Sequence, residues 1–179
     1  MDTIDVMIFI GSDSDLPIMS KAGEVFDGLG IEWRMRITSA HRTSDRTPVL
    51  VRDAMNARCK IFICGAGMAA HLAGAVAAQT ILPVIGVPLT SESSPLGGMD
   101  ALLATVQMPP GIPVATMPIN GAKNAAWHAA QILALNNEGL YQRLVQARID
   151  MQYEIEFKDE ELQSELAQRW LAKNAKKEA

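Results

Sequence analysis

The chain has 179 residues, 49% of them apolar and only 5% aromatic, with a formal net charge of −4. That length suits one domain with a sizeable core. The charge excludes a general attraction to nucleic acid, so any positive site for an anionic ligand has to be local.

Plentiful Ala, Ile, Val, Leu and Met suit helices packed closely on a parallel sheet better than a sandwich or a barrel. No apolar run reaches the roughly 18 residues of a membrane span, and no leader pattern precedes the first strand, so a soluble, cytoplasmic protein is expected. Cys59 and Cys64 are the only cysteines. They read as small core thiols, since two such residues make neither a disulfide framework nor a zinc site.

Residues 4–10 form a β-branched-rich run ending at Gly11, which predicts a central buried strand. Ile18, Ala22, Val25, Phe26 and Leu29 then give a helical stripe that Gly28 and Gly30 end. Residues 31–37 predict a second strand. Its alternating Glu32, Arg34 and Arg36 place it at an edge or half-exposed. Residues 39–47 lead into a helix with Pro48 in its first turn and Val49, Leu50 and Met55 on its inner side.

Residues 60–64 predict a third strand, with Gly65-Ala66-Gly67 as the turn and residues 69–80 as a helix of very small side chains. A fourth strand over 84–89, a Ser/Gly/Pro loop over 90–98 and a short helix over 99–107 follow. Pro109-Pro110-Gly111 breaks that helix before a fifth strand over 112–116 and a helix over 122–135. From Glu138 to about residue 174 the pattern is helical again, with a break expected near residues 157–159 and a frayed tail from Lys173.

Strands alternating with helices, without a repeat or a linker, predict a three-layer, doubly wound parallel sheet of five strands, flavodoxin-like or Rossmann-like. Residues 1–136 make the α/β domain and 137–179 a C-terminal helical extension that packs in part on another subunit. Ligands of such sheets bind beyond the carboxyl ends of the strands. Three polar or glycine-rich turns fall there, at residues 11–15, 39–43 and 65–71.

The first turn offers backbone N–H groups and two serines to a phosphate, but it lacks the Lys-Ser/Thr pair of a P-loop. Asp13 and Asp15 would repel a phosphate they faced, so at least one accepts from sugar hydroxyls or caps the helix. A plain N-cap role for Ser14 or Asp15 is equally open. In the second turn, His41 is suited to moving a proton near neutral pH and Arg42 to fixing a phosphate or carboxylate with parallel hydrogen bonds.

In the third turn, Gly65-Ala66-Gly67-Met68-Ala69-Ala70 matches G-x-G-x-x-A, and Glu92 lies where the dinucleotide motif wants an acid. The motif sits on the third strand instead of the first, however, and Glu92 lies in a loop. The glycines imply only a ligand close to the backbone. His71 is a ligand contact or a helix-start donor, and His128 belongs to packing or surface. No histidine pair has metal-ligand spacing, so no metal is expected.

Gly-Ser-x-Ser-Asp, Ser-Ala-His-Arg-Thr, Gly-Ala-Gly-x-Ala-Ala-His-Leu, Gly-Val-Pro and Val-Gln-Met-Pro-x-Gly-Ile-Pro-Val-Ala-Thr occur in this order between Val6 and Leu135. By these motifs the chain resembles the catalytic subunit of phosphoribosylaminoimidazole carboxylase, the small carboxyaminoimidazole ribonucleotide mutases of purine synthesis. Arg42 after His41, and Ala-Ala-His71-Leu, resemble the mutase (class I) type more than the type that carboxylates aminoimidazole ribonucleotide directly.

The resemblance implies a homo-octamer and a cofactor-free rearrangement of a carbamate on the exocyclic amine to a carboxylate on the imidazole ring. It also implies that Ser12, Asp15 and Arg42 bind the ribonucleotide with help from Ser14 and Ser39. Asp15 would take the ribose hydroxyls, and Arg42 with the serines the phosphate. Gly65, Ala66, Gly67 and Ala70 would shape a pocket for carbon dioxide, with His41 as proton carrier and His71 as a pocket contact. The sequence departs from the family pattern at Met68, where glycine is usual, at Ala73 and Ser44, where proline is usual, and in a longer 90–98 loop. A binding module that holds a nucleotide without turning it over is the alternative of another class.

Overall fold

A computed structural model describes residues 3–90 and 94–178, except the side chains of 171, 172 and 174–178. The sheet has five parallel strands: β1 (Val6–Ile10), β2 (Trp33–Ile37), β3 (Ile61–Gly67), β4 (Val84–Leu89) and β5 (Ala115–Thr116). Their order is β2-β1-β3-β4-β5. The direction of winding reverses between β1 and β3, which opens a crevice beyond the carboxyl ends of those neighbours.

Side chains alternate across the sheet and sort into two cores. Val6, Ile8 and Ile10, with Ile61, Ile63, Ile85 and Val87, pack against α1 (Leu16–Leu29) and α5 (Ala122–Ala134). Met7, Phe9, Phe62 and Cys64 pack on the other face against α2 (Arg46–Asn56) and α3 (Leu72–Ala77). α4 (Met99–Val106) lies on that second face, since a Cβ on Gly86 would stand 2.4 Å from Thr105 and 3.3 Å from Ala73. Burial pushes the Cys59 thiol up to about 11 and raises that of Cys64 as well, so both are core thiols.

Several boundaries differ from the sequence reading. Residues 65–67 extend β3, and the tight turn falls one step later. Met68 takes φ 54°, and the Ala70 and His71 N–H groups bond the Met68 and Ala69 carbonyls at 2.9 and 2.8 Å. That left-handed step shortens α3 at its start. On α2 the inner side is Thr47, Val51 and Ala54 with Leu50 beside them, whereas Val49 and Met55 are exposed. β5 keeps two residues of the expected five, Pro113 having no N–H for the ladder. Glu92 and the centre of the 90–98 loop lie outside the described residues.

The largest difference is α6 (Glu138–Glu178), one unbroken helix of 41 residues. It has no proline, and its only glycine is Gly139. Pairs four apart run across the expected break: Gln152 to Glu156, Lys158 to Glu154, and Gln163 to Asp159. Leu140 is buried against the core, and Arg143 Nε donates to the Leu29 carbonyl at 2.9 Å. From Arg148 on, every described side chain is exposed.

Candidate active site

The carboxyl ends of β2, β1 and β3 are adjacent, so the three turns line one open cleft of about 450 Å³. Gly11, Ser12, Ser14 and Asp15 come from the first turn, Ser39, Ala40, His41 and Arg42 from the second, and Ala66, Gly67, Met68 and Ala69 from the third. Leu72, Leu89 and Thr90 complete the wall. Leu72 and Leu89 escaped the sequence reading, whereas Thr90 opens the 90–98 loop that departs from the family pattern; Leu89 and Thr90 stand at the carboxyl end of β4, where the same topological rule points.

The first turn is a one-turn 3-10 helix, Asp13–Asp15, capped by Ser12. Asp15 bends back to accept from the Ser12 N–H at 3.0 Å, and Asp13 accepts from the Ser12 hydroxyl at 2.9 Å. Both carboxylates are thereby drawn into the turn. This is a capping box with Ser12 at the cap of the 3-10 turn, while Asp15 stands at the N-cap position of α1 without a side-chain capping bond there. Burial raises the Asp15 carboxyl above its ordinary 3.8, against the pull of the Ser12 and Gly11 N–H groups and of Arg42. The exposed Asp13 is lowered, mainly by the Ser12 hydroxyl.

The second turn is fixed from beneath by a ladder of threonines. Thr43 Oγ1 accepts from the Ser39 N–H at 2.8 Å, lies 3.1 Å from Thr38 Oγ1, and Thr38 Oγ1 is 2.8 Å from Thr47 Oγ1. Thr38 and Thr47 are buried, so these bonds satisfy hydroxyls that water cannot reach. Above the ladder, Arg42 donates from Nη2 to the Gly11 carbonyl at 3.0 Å, tying the first two turns together. Its backbone N–H donates to Ser39 Oγ at 3.2 Å.

His41 Nε2 and His71 Nδ1 are 2.8 Å apart, a hydrogen bond joining the second and third turns. The rings meet edge to face, with centroids 5.0 Å apart and planes at 75°. Thirty residues separate them in sequence, and the contact follows only from β1 seating β2 and β3 on either side.

Of the residues singled out from the sequence, Gly65, Ala70 and His71 do not line the cleft; His71 reaches it only through its bond to His41. Gly65 is a core glycine, since a Cβ there would stand 2.6 Å from Met19 Sδ. Ala70 is buried at 2% exposure beneath the turn. Gly67 does line the cleft and packs against the β4 backbone, where a Cβ would stand 3.1 Å from the Leu89 carbonyl oxygen. His128 is half-buried within α5, away from the three turns. No three His, Cys, Asp or Glu side chains among the described residues are placed to hold a metal ion.

The sequence profile of the AIR carboxylase family matches residues 5–154. This chain belongs to the AIR carboxylase family. Relatives in that family include the N5-carboxyaminoimidazole ribonucleotide mutase of Pyrococcus abyssi, 48% identical over 146 residues that cover 82% of this chain and 83% of that protein. The enzyme of the same name from Thermotoga maritima is 45% identical over 150 residues, 84% and 86% of the two chains. The crystal structure of Treponema denticola PurE is similar with a TM-score of 0.78 and 28% identity, covering 88% of this chain and 97% of that one. Within the AIR carboxylase match lie all the cleft residues and the first turns of α6, while residues 155–178 of that helix extend beyond it.

Proposed function

We propose that this chain is a carboxyaminoimidazole ribonucleotide mutase of purine biosynthesis. It moves a carboxylate from the exocyclic amine of N-carboxyaminoimidazole ribonucleotide to the imidazole ring carbon, giving carboxyaminoimidazole ribonucleotide. The observation that carries the reading is the placement of His41 and Arg42, adjacent in sequence, on the wall of one cleft at the point where the sheet reverses. The relatives named as mutases support the same activity.

The residues divide the work. Arg42 with Ser12, Ser14 and Ser39 holds the phosphate, and Asp15 accepts from the ribose hydroxyls. His41 gives a proton to the carbamate nitrogen as the bond to carbon dioxide breaks. It later takes the proton from the ring carbon once the new carbon–carbon bond has formed. Ala66, Gly67 and Ala69, small and without charge, keep the freed carbon dioxide beside the ring instead of releasing it to water. Gly65 and Ala70 act one layer behind, by letting the turn seat closely on the core.

The enzyme works in the cytoplasm as a homo-oligomer, an octamer by resemblance. The exposed Ile155, Phe157, Leu162, Leu166 and Trp170 on α6 are the surface that such packing covers. No helix among the described residues is long and apolar enough to cross a membrane.

The test is a pair of assays on the purified chain. One supplies N-carboxyaminoimidazole ribonucleotide, the other aminoimidazole ribonucleotide with bicarbonate. Turnover of the carbamate at low bicarbonate is expected. Turnover only of aminoimidazole ribonucleotide with bicarbonate would make the enzyme a direct carboxylase, and nucleotide binding without either turnover would make the chain a binding module.

A further inference from the structure

We propose that His71 is a positioning residue forming the far half of a two-histidine proton relay. Its Nδ1 exchanges a proton with His41 Nε2 while His41 Nδ1 exchanges one with the substrate. The inference rests on reading the cleft as a carboxylate-transfer site.

Three observations carry it. First, His41 lines the cleft and its Nε2 is taken by His71 at 2.8 Å, so Nδ1 is the ring nitrogen left for substrate. Second, neither His41 Nδ1 nor His71 Nε2 has a partner among the described residues. The shared bond therefore joins the two rings into one chain with an unpartnered nitrogen at each end, on His41 at the cleft wall and on the exposed His71. Third, the place a carboxylate takes behind a catalytic histidine is filled here by a second imidazole, because Asp13 and Asp15 are both turned onto Ser12. A carboxylate partner orients the ring and stabilises its cation, whereas an imidazole partner also accepts the proton and shares the charge.

The proton count balances. In the loaded pair His41 carries a proton on Nδ1 and His71 carries one on each nitrogen, with one positive charge between them. His41 Nδ1–H protonates the carbamate nitrogen. The nitrogen–carbon bond breaks, its electron pair stays on nitrogen, and carbon dioxide departs. The shared proton moves from His71 Nδ1 to His41 Nε2, which leaves two neutral rings. Carbon dioxide then adds to the ring carbon. The proton lost from that carbon passes to His41 Nδ1, and the shared proton returns to His71 Nδ1. No proton is exchanged with solvent over the cycle, and the charge is spread over the ring farther from the substrate.

The experiment compares His71→Asn with His71→Ala. Asparagine places an amide near the position of Nδ1, so it can donate to His41 Nε2 and hold the ring but cannot relay a proton. Expected for both variants is a kcat at least tenfold and about 100-fold lower, the usual worth of a proton-transfer group, with KM within about threefold. If His71→Asn keeps kcat within tenfold of the native enzyme, or if the loss lies in KM, His71 only seats the ring and the relay is wrong.

A second measurement needs no substrate. Nitrogen-15 NMR of the full chain is expected to show coupling between His41 Nε2 and His71 Nδ1 across the shared proton, and its absence overturns the relay. If the native chain turned over neither ribonucleotide, the functional reading would fail while this coupling could still be read.

Discussion

Gly65→Ala separates a core glycine from a ligand-facing one. The new Cβ would stand 2.6 Å from Met19 Sδ, 2.8 Å from Cγ and 3.0 Å from Cε. Met19 is fully buried on α1, one turn below the Gly11–Asp15 segment, so its tail cannot swing into solvent. Overpacking of this kind costs roughly 1–3 kcal/mol. The loss of chain freedom in the unfolded state returns about 0.4–1 kcal/mol.

A net loss of about 1–2 kcal/mol is expected, which at a urea slope of about 1–3 kcal/mol per molar moves the unfolding midpoint down by roughly 0.3–2 M. Equilibrium urea unfolding at one fixed protein concentration reads it, since assembly adds to apparent stability. Met19→Ala alone should cost about 2–5 kcal/mol through the cavity it leaves. In that background Gly65→Ala partly fills the cavity and should be neutral or stabilising, so the two changes are strongly non-additive. The reasoning fails if Gly65→Ala costs the same in both backgrounds, or costs nothing and instead raises KM for the nucleotide.

Arg42→Ala should weaken nucleotide binding by about 1.5–3 kcal/mol, the worth of a hydrogen bond to a charged group, and titration calorimetry measures it. An unchanged affinity would remove Arg42 from the phosphate site. For Asp15 the burial-raised carboxyl takes up its proton at a higher pH than an ordinary one at 3.8. Nucleotide affinity should therefore begin to fall, as pH is lowered, at a higher pH than it would for an unperturbed carboxylate. Because the folded value exceeds the unfolded one, the stability this group contributes is present at low pH and lost as pH rises through the folded value. Asp15→Asn, which keeps an acceptor for the Ser12 N–H, should leave stability at pH 7 unharmed while weakening binding. Ending the chain after Met151 removes the exposed apolar residues of the outer part of α6 and should lower the order of the oligomer in light scattering, while an unchanged number of subunits would place the interface elsewhere.

The parts of this molecule legible in the sequence are those set by local pattern and winding rules. The β-branched-rich apolar run of residues 4–10 and the charged alternation of residues 32–36 marked a central and an edge strand, which fixed where the first two turns meet. His41 and Arg42 stood out because a titratable ring beside a permanent cation is informative wherever a sheet delivers it. What stayed hidden depends on distant partners. Gly65 looked like a ligand glycine because nothing near it in sequence says that Met19 fills the space opposite. The His41–His71 bond spans two strands that are neighbours only through β1. The missing break in α6 had a different cause: pairs four residues apart carry a polar, exposed helix through a stretch whose apolar pattern shifts.

The central claim is that His41 carries the proton. Single-turnover conversion of N-carboxyaminoimidazole ribonucleotide by His41→Asn, run beside nucleotide binding on the same preparation, tests it most directly. The expected result is binding close to that of the native chain with isomerisation reduced by at least about 100-fold, the lower end of the usual range for a general acid–base group. Native-like turnover in that variant would contradict the assignment and move the proton to another group in the cleft.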